Sequence, residues 1–107
     1  MIDTIKELSL LCGTSGRETK IREYIVSRID GKCDWHEDAL GNIIAFKKGR
    51  NGASHKVMLD AHMDEVSVIV TFITSDGMLK FSPVGGINTK VLLARQIVFD
   101  NGTLGVV

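Results

Sequence analysis

Apolar positions recur at helical spacing at the start of the chain. Ile5, Leu8, Leu11 and Cys12 share one face, which predicts a helix capped by Asp3 and stopped at Gly13. Ser15 and Glu18 have the spacing of a capping box, and Ile21, Tyr24, Ile25 and Ile29 then line one face of a second helix ending at Gly31. No other feature marks these two faces, so both are read as core. From Lys32 the period shortens. Cys33 and Trp35 alternate with polar neighbours, Leu40-Gly41-Asn42 reads as a turn, and Ile43-Ile44-Ala45-Phe46 as the return strand of a hairpin. Gly49, Asn51 and Gly52 make a loop, after which His55 to His62 reads as a buried, parallel strand with Val57, Met58 and Leu59 as its apolar run.

Beyond Glu65 the texture changes. Val66, Val68 and Val70 alternate with Ser67, Ile69 and Thr71, and a turn at Ser75-Asp76-Gly77 leads into Met78-Leu79-Lys80-Phe81. Pro83 and Gly85-Gly86 are read as interruptions. Gln96 to Phe99, a turn at Asp100-Asn101-Gly102, and Thr103 to Val107 then continue as short strands. Two helices followed by strands predict an α/β layered domain, and the second part reads as all-β. The chain shows no internal repeat and no low-complexity tract.

Composition narrows the function classes. The 107 residues suffice for one small domain, and 44% hydrophobic with 24% charged residues is a globular composition. Thirteen basic and thirteen acidic side chains cancel, so the chain lacks the footprint of a nucleic-acid or anionic-membrane binder. Cys12 and Cys33 lie far apart with no Cys-x-x-Cys spacing and are expected as two reduced thiols. No apolar run approaches the roughly 18 residues that span a bilayer. Asp3, Lys6 and Glu7 do not fit a signal peptide, and a cytoplasmic location is the expectation.

The candidate chemistry lies in Lys56-Val57-Met58-Leu59-Asp60-Ala61-His62-Met63-Asp64-Glu65. In an extended strand alternate side chains share a face, which would send His62 and Asp64 one way and Met63 the other. They would stand at the carboxyl end of a parallel strand, where open α/β sheets bind ligands. A histidine satisfied by ordinary hydrogen bonds is the plainer alternative. A catalytic zinc usually needs three protein ligands, and no second cluster follows Glu65. The trio His36-Glu37-Asp38 reads as hairpin surface, because adjacent strand residues point to opposite faces. His55 is expected to be solvated and Asp60 to serve hydrogen bonding, while Gly85-Gly86 neither follows the right strand nor opens a helix, as a phosphate cradle would.

Four motifs in order carry a resemblance that covers nearly the whole chain. They are Leu11-Cys12-Gly13-Thr14-Ser15-Gly16-Arg17-Glu18, Asp38-Ala39-Leu40-Gly41-Asn42-Ile43-Ile44-Ala45, Asp60-Ala61-His62-Met63-Asp64-Glu65 and Phe81-Ser82-Pro83-Val84-Gly85-Gly86. With them the chain resembles the tetrahedral (glutamyl and deblocking) aminopeptidases, a cytosolic family of two-metal exopeptidases. The resemblance implies that His62 binds one of two divalent metal ions, zinc or cobalt, and that Asp64 orients that histidine. It also implies a peptide substrate anchored by its free amino terminus, and a homo-oligomer of dimers assembled into a dodecamer.

For the fold, the resemblance implies the amino-terminal part of an α/β/α zinc-peptidase-like domain over residues 1–66. The start of an inserted β-rich, barrel-like and PDZ-like dimerisation domain follows over 67–107. The remaining ligands and the general base would lie downstream of Val107. Two positions depart from the family pattern: Ser67 stands where a glycine is usual, and Leu93-Ala94 where Pro-Gly or Gly often precedes the next strand.

Each of the two pieces falls below the roughly 70–80 residues at which one core rarely supplies more than about 3–5 kcal/mol. The expectation is therefore an amino-terminal fragment of a metal-dependent aminopeptidase, inactive alone. A non-catalytic stub associating through its β segment is a second reading. A glycosidase is a third, since members of this family have carried cellulase or endoglucanase labels, and it would need two carboxylates placed across a sugar.

Overall fold

The computed structural model describes residues 1–52 and 54–107. Its elements run α1 (Ile2–Ser9), α2 (Thr19–Ile29), β1 (Asp34–Glu37), β2 (Ile43–Phe46), β3 (Ser67–Ile73), β4 (Leu79–Val84), a single 3-10 turn (Thr89–Val91), β5 (Gln96–Val98) and β6 (Leu104–Val106). They fall into two compact units: Met1–Gly13 with Glu18–Met63, and Thr14–Arg17 with Asp64–Val107.

In the first unit both helices start differently from the expectation, and α1 also stops early, while α2 ends at Ile29 just before Gly31 at φ +68°, as expected. Asp3 does not cap α1; Met1 does, and Asp3 lies in the first turn, where a carboxylate still suits the positive end of the helix dipole. The helix ends at Ser9 rather than running to Gly13. The Ser9 hydroxyl donates back to the Ile5 carbonyl at 2.8 Å, and the Leu10 and Leu11 amides bond three residues back, tightening the last turn. The capping box at Ser15 does not form either. Thr14 to Arg17 closes as a turn, with the Arg17 amide on the Thr14 carbonyl at 2.7 Å and Gly16 at φ +80°, so α2 begins after Glu18.

Side chains tie α2 to its neighbours. Tyr24 and Arg28 both donate to the Glu7 carboxylate on α1, and the Arg28 guanidinium stands 4.9 Å from the Tyr24 ring centre. The Tyr24 hydroxyl and the Arg28 charge hold the Glu7 carboxyl below its usual range, the hydroxyl being the larger cause. Arg22 reaches Glu37 on β1 at 3.2 Å and Glu18 at 3.5 Å. The Trp35 indole donates to Asp30 at 3.1 Å.

The hairpin of β1 and β2 forms as predicted, antiparallel from Asp34 opposite Phe46 to Glu37 opposite Ile43. Asp38 builds its turn by accepting the Leu40 and Asn42 amides and the Asn42 side-chain amide, each at 2.9 Å. The Asn42 side chain is the first cause of a carboxyl held below the ordinary aspartate range. Cys12 and Cys33 are both free thiols, as expected.

The predicted buried strand from His55 to His62 is absent. No sheet among the described residues includes it, and Val57, Met58 and Leu59 are 86%, 87% and 93% exposed. A run with this apolar pattern becomes a strand only when neighbouring strands take up its backbone groups. The apolar face of α1 also stays unburied. Among the described residues only two apolar side chains are buried, Ile21 at 6% and Leu92 at 9% exposure.

The second unit contains two antiparallel hairpins. β3 pairs with β4 from Ser67 opposite Val84 to Ile73 opposite Leu79, with an irregularity between Val70 and Phe72. Its turn closes where expected, through the Thr74 amide to the Met78 carbonyl at 2.8 Å, with Gly77 at φ +84°. Pro83 does not interrupt the strand: it lies within β4 opposite Val68, and β4 is paired on one side only, which is where a strand tolerates proline. β5 and β6 form the last hairpin, with the Asn101 side chain accepting the Thr103 amide at 3.0 Å.

Both departures from the family pattern leave a structural mark. The Ser67 hydroxyl is buried with no hydrogen-bond partner among the described residues. Ala94 is the one non-glycine described residue with positive φ, +59°, and its amide donates to the Val107 carbonyl at 2.8 Å. A left-handed alanine costs about 1–2 kcal/mol, against about 0.5–1 kcal/mol for the greater chain entropy of glycine. Ala94→Gly in the complete protein is therefore expected to stabilise by about 0.5–1 kcal/mol, read as a higher urea midpoint at unchanged slope. An unchanged or lower midpoint would show that the left-handed conformation carries no strain.

Candidate functional site

The His62-Met63-Asp64 segment follows the exposed stretch 55–61 and leads into Glu65, which forms a parallel bridge with Thr14 in the second unit. His62 is exposed, and Met63 and Asp64 are half-buried. The division between the units falls at Met63, with His62 in the first and Asp64 in the second.

Within the first unit the backbone at Met63 is seated by a feature that the sequence pattern did not single out. Gly13 is buried, and a Cβ placed on it would stand 2.7 Å from Ile21 Cγ1, 3.3 Å from Ile21 Cδ1 and 3.4 Å from the Met63 carbonyl oxygen. The position is glycine for space alone, since its φ is not positive. Reading Gly13 only as a helix stop hid this close approach, and no local periodicity could have revealed it.

The other polar candidates, Asp60 apart, take the structural roles expected of them. His36 is exposed on β1 opposite Ile44, Glu37 is paired with Arg22, and Asp38 organises its turn. His55 is exposed as expected, and Asp60, expected to serve hydrogen bonding, is exposed as well. Gly85-Gly86 is a bend, with Gly85 at φ +79° against Val66.

The donor set tests what metal chemistry these residues can support. An imidazole and a nearby carboxylate suit one ligand and the partner that orients it. No group of three or more His, Cys, Asp or Glu among the described residues is placed to hold a metal ion. The described residues therefore do not form a complete metal centre. No described helix is long and apolar enough to cross a membrane.

Comparison with known proteins bears on this arrangement. The family model for M42 glutamyl aminopeptidases matches residues 41–107. A provisionally named aminopeptidase of Acetivibrio thermocellus is 42% identical over 108 residues, covering 100% of this chain and 32% of that protein. The glutamyl aminopeptidase of Lactococcus lactis is 33% identical over 104 residues, covering 96% and 29%. Among solved structures, the TET1 peptidase of Pyrococcus horikoshii is 36% identical at a TM-score of 0.77, covering 94% of this chain and 30% of its own. That peptidase can assemble into a tetrahedron or a large octahedral shell. A Thermotoga maritima protein described as an endoglucanase is 44% identical at a TM-score of 0.75, covering 85% and 29%. The chain thus spans less than a third of the length of the curated relatives it matches.

Proposed function

The chain belongs to the M42 glutamyl aminopeptidase family, and on that premise we propose that it is part of a metal-dependent aminopeptidase that removes amino-terminal residues from peptides. The observation that carries the reading is a family match taking in the whole Asp60–Glu65 motif together with Phe81–Gly86. His62 is assigned as one ligand of a centre of two divalent ions, zinc or cobalt. Asp64 is assigned the orienting role, in which a carboxylate accepts the second ring N–H and fixes the tautomer and basicity of the imidazole. When bound, the metals would activate a water and polarise the scissile carbonyl. The other donors and the general base must come from residues other than those described, so this segment alone is inactive.

Residues 1–66 are assigned to the zinc-peptidase-like catalytic domain and 67–107 to a β-rich, PDZ-like dimerisation domain. Two antiparallel hairpins in the second segment support that assignment. A cytoplasmic homo-oligomer, with dimers assembled into a dodecamer, goes with it. The tetrahedral or octahedral assembly of the Pyrococcus horikoshii relative favours this over an isolated stub.

The endoglucanase description of the Thermotoga maritima relative favours a second reading, glycoside hydrolysis, which requires two carboxylates flanking one sugar. The experiment that separates the two uses the complete protein and one peptide in free and amino-acetylated forms. Release of the first residue from the free form alone is expected. Cleavage of a β-glucan, or equal cleavage of both peptides, would overturn the aminopeptidase reading.

A further inference from the structure

We infer that Gly13 is a positioning residue for His62: its lack of a side chain lets the Met63 peptide seat at a fixed distance from α2. The inference rests on the reading of His62 as a metal ligand. Its physical basis is the close approach described above: Ile21 and the Met63 carbonyl oxygen both stand within contact of the place a Cβ on Gly13 would take.

A methyl group at residue 13 would overlap Ile21 and touch the Met63 carbonyl oxygen. Ile21 cannot yield cheaply. It is β-branched, stiff at χ1 within a helix, and the most buried side chain among the described residues. An atom 2.7 Å from Ile21 Cγ1 must therefore move, and the Met63 carbonyl oxygen, already at 3.4 Å, is the backbone that such a shift meets. Relief of such an overlap takes roughly 0.8 Å, given ordinary carbon contacts of about 3.5 Å or more. That displacement falls on the Met63–Asp64 peptide, one residue beyond His62. Misplacing a reacting group by about 1 Å can lower rate by roughly 100-fold, so Gly13→Ala is expected to lower kcat by about 10- to 100-fold.

Loss of rate alone would not distinguish positioning from general destabilisation, so two further readouts are required. In the metal-free complete protein, histidine ring resonances report each imidazole separately. Gly13→Ala is expected to shift that of His62 while leaving His36 and His55 in place. The double variant Gly13→Ala with Ile21→Ala removes both Ile21 atoms that meet the new methyl. It is expected to regain at least threefold in kcat over Gly13→Ala while being less stable to urea. A structural role would instead make the double variant worse in both respects.

An unmoved His62 resonance overturns the inference, and so does a folded double variant with no recovery of kcat. If the double variant does not fold, the resonance measurement on Gly13→Ala decides alone. Retained turnover in His62→Ala would sink the metal-ligand reading itself, an outcome that the resonance measurement does not share.

Discussion

Replacing His62 with alanine in the complete protein is expected to lower metal-dependent turnover by on the order of 1000-fold or more. A catalytic metal contributes several kcal/mol of charge stabilisation, and each 1.4 kcal/mol or so is a factor of ten in rate. The side chain is exposed and lies in no regular element, so its removal should leave the urea midpoint of the protein nearly unchanged. Asp64→Asn should be milder, about 10- to 100-fold, as expected when a partner of a ligand is altered rather than the ligand. Steady-state kinetics with a saturating supply of metal would check both. Equal losses from the two substitutions would mean that Asp64 does more than orient, and retained turnover in His62→Ala would remove His62 from the centre.

The second large effect concerns stability. Ile21→Ala is expected to lower the unfolding free energy of the complete protein by about 2–4 kcal/mol, through lost transfer energy and the cavity left behind. Ile21 is one of two buried apolar side chains among the described residues, and it packs on Gly13, where no side chain can move in to fill the space. Ile21→Val, which removes only the terminal methyl, should lose about 0.5–1.5 kcal/mol. Urea melts of both variants measure the difference. A loss below about 1 kcal/mol for Ile21→Ala would show that this contact contributes little to holding the first unit together.

What was legible in the sequence was local. All three hairpins appear where turn chemistry predicts them, because Asp38 with Gly41, Thr74 with Gly77, and Asn101 with Gly102 settle their turns within five residues. Helix existence was equally plain from the spacing of apolar positions. The end of α1 and the start of α2 were not, because two groups with alternative partners took them: Ser9 bonded back into its own helix, and Thr14 closed a turn ahead of Ser15.

The strand expected at Val57 to Leu59 failed for a nonlocal reason, since backbone pairing depends on neighbours that no periodicity supplies. The same distinction governs the site. His62 and Asp64 could be picked out from a short motif in context. Gly13 could not, because its role depends on Ile21 and Met63, which the chain brings to it from positions 8 and 50 residues away.

Hydrolysis of an aminoacyl-anilide by the complete protein, measured before a chelator, after it, and after zinc or cobalt is restored, tests the metalloaminopeptidase assignment most directly. Turnover should disappear with the chelator and return with the metal. Undiminished turnover in the presence of the chelator would contradict the assignment.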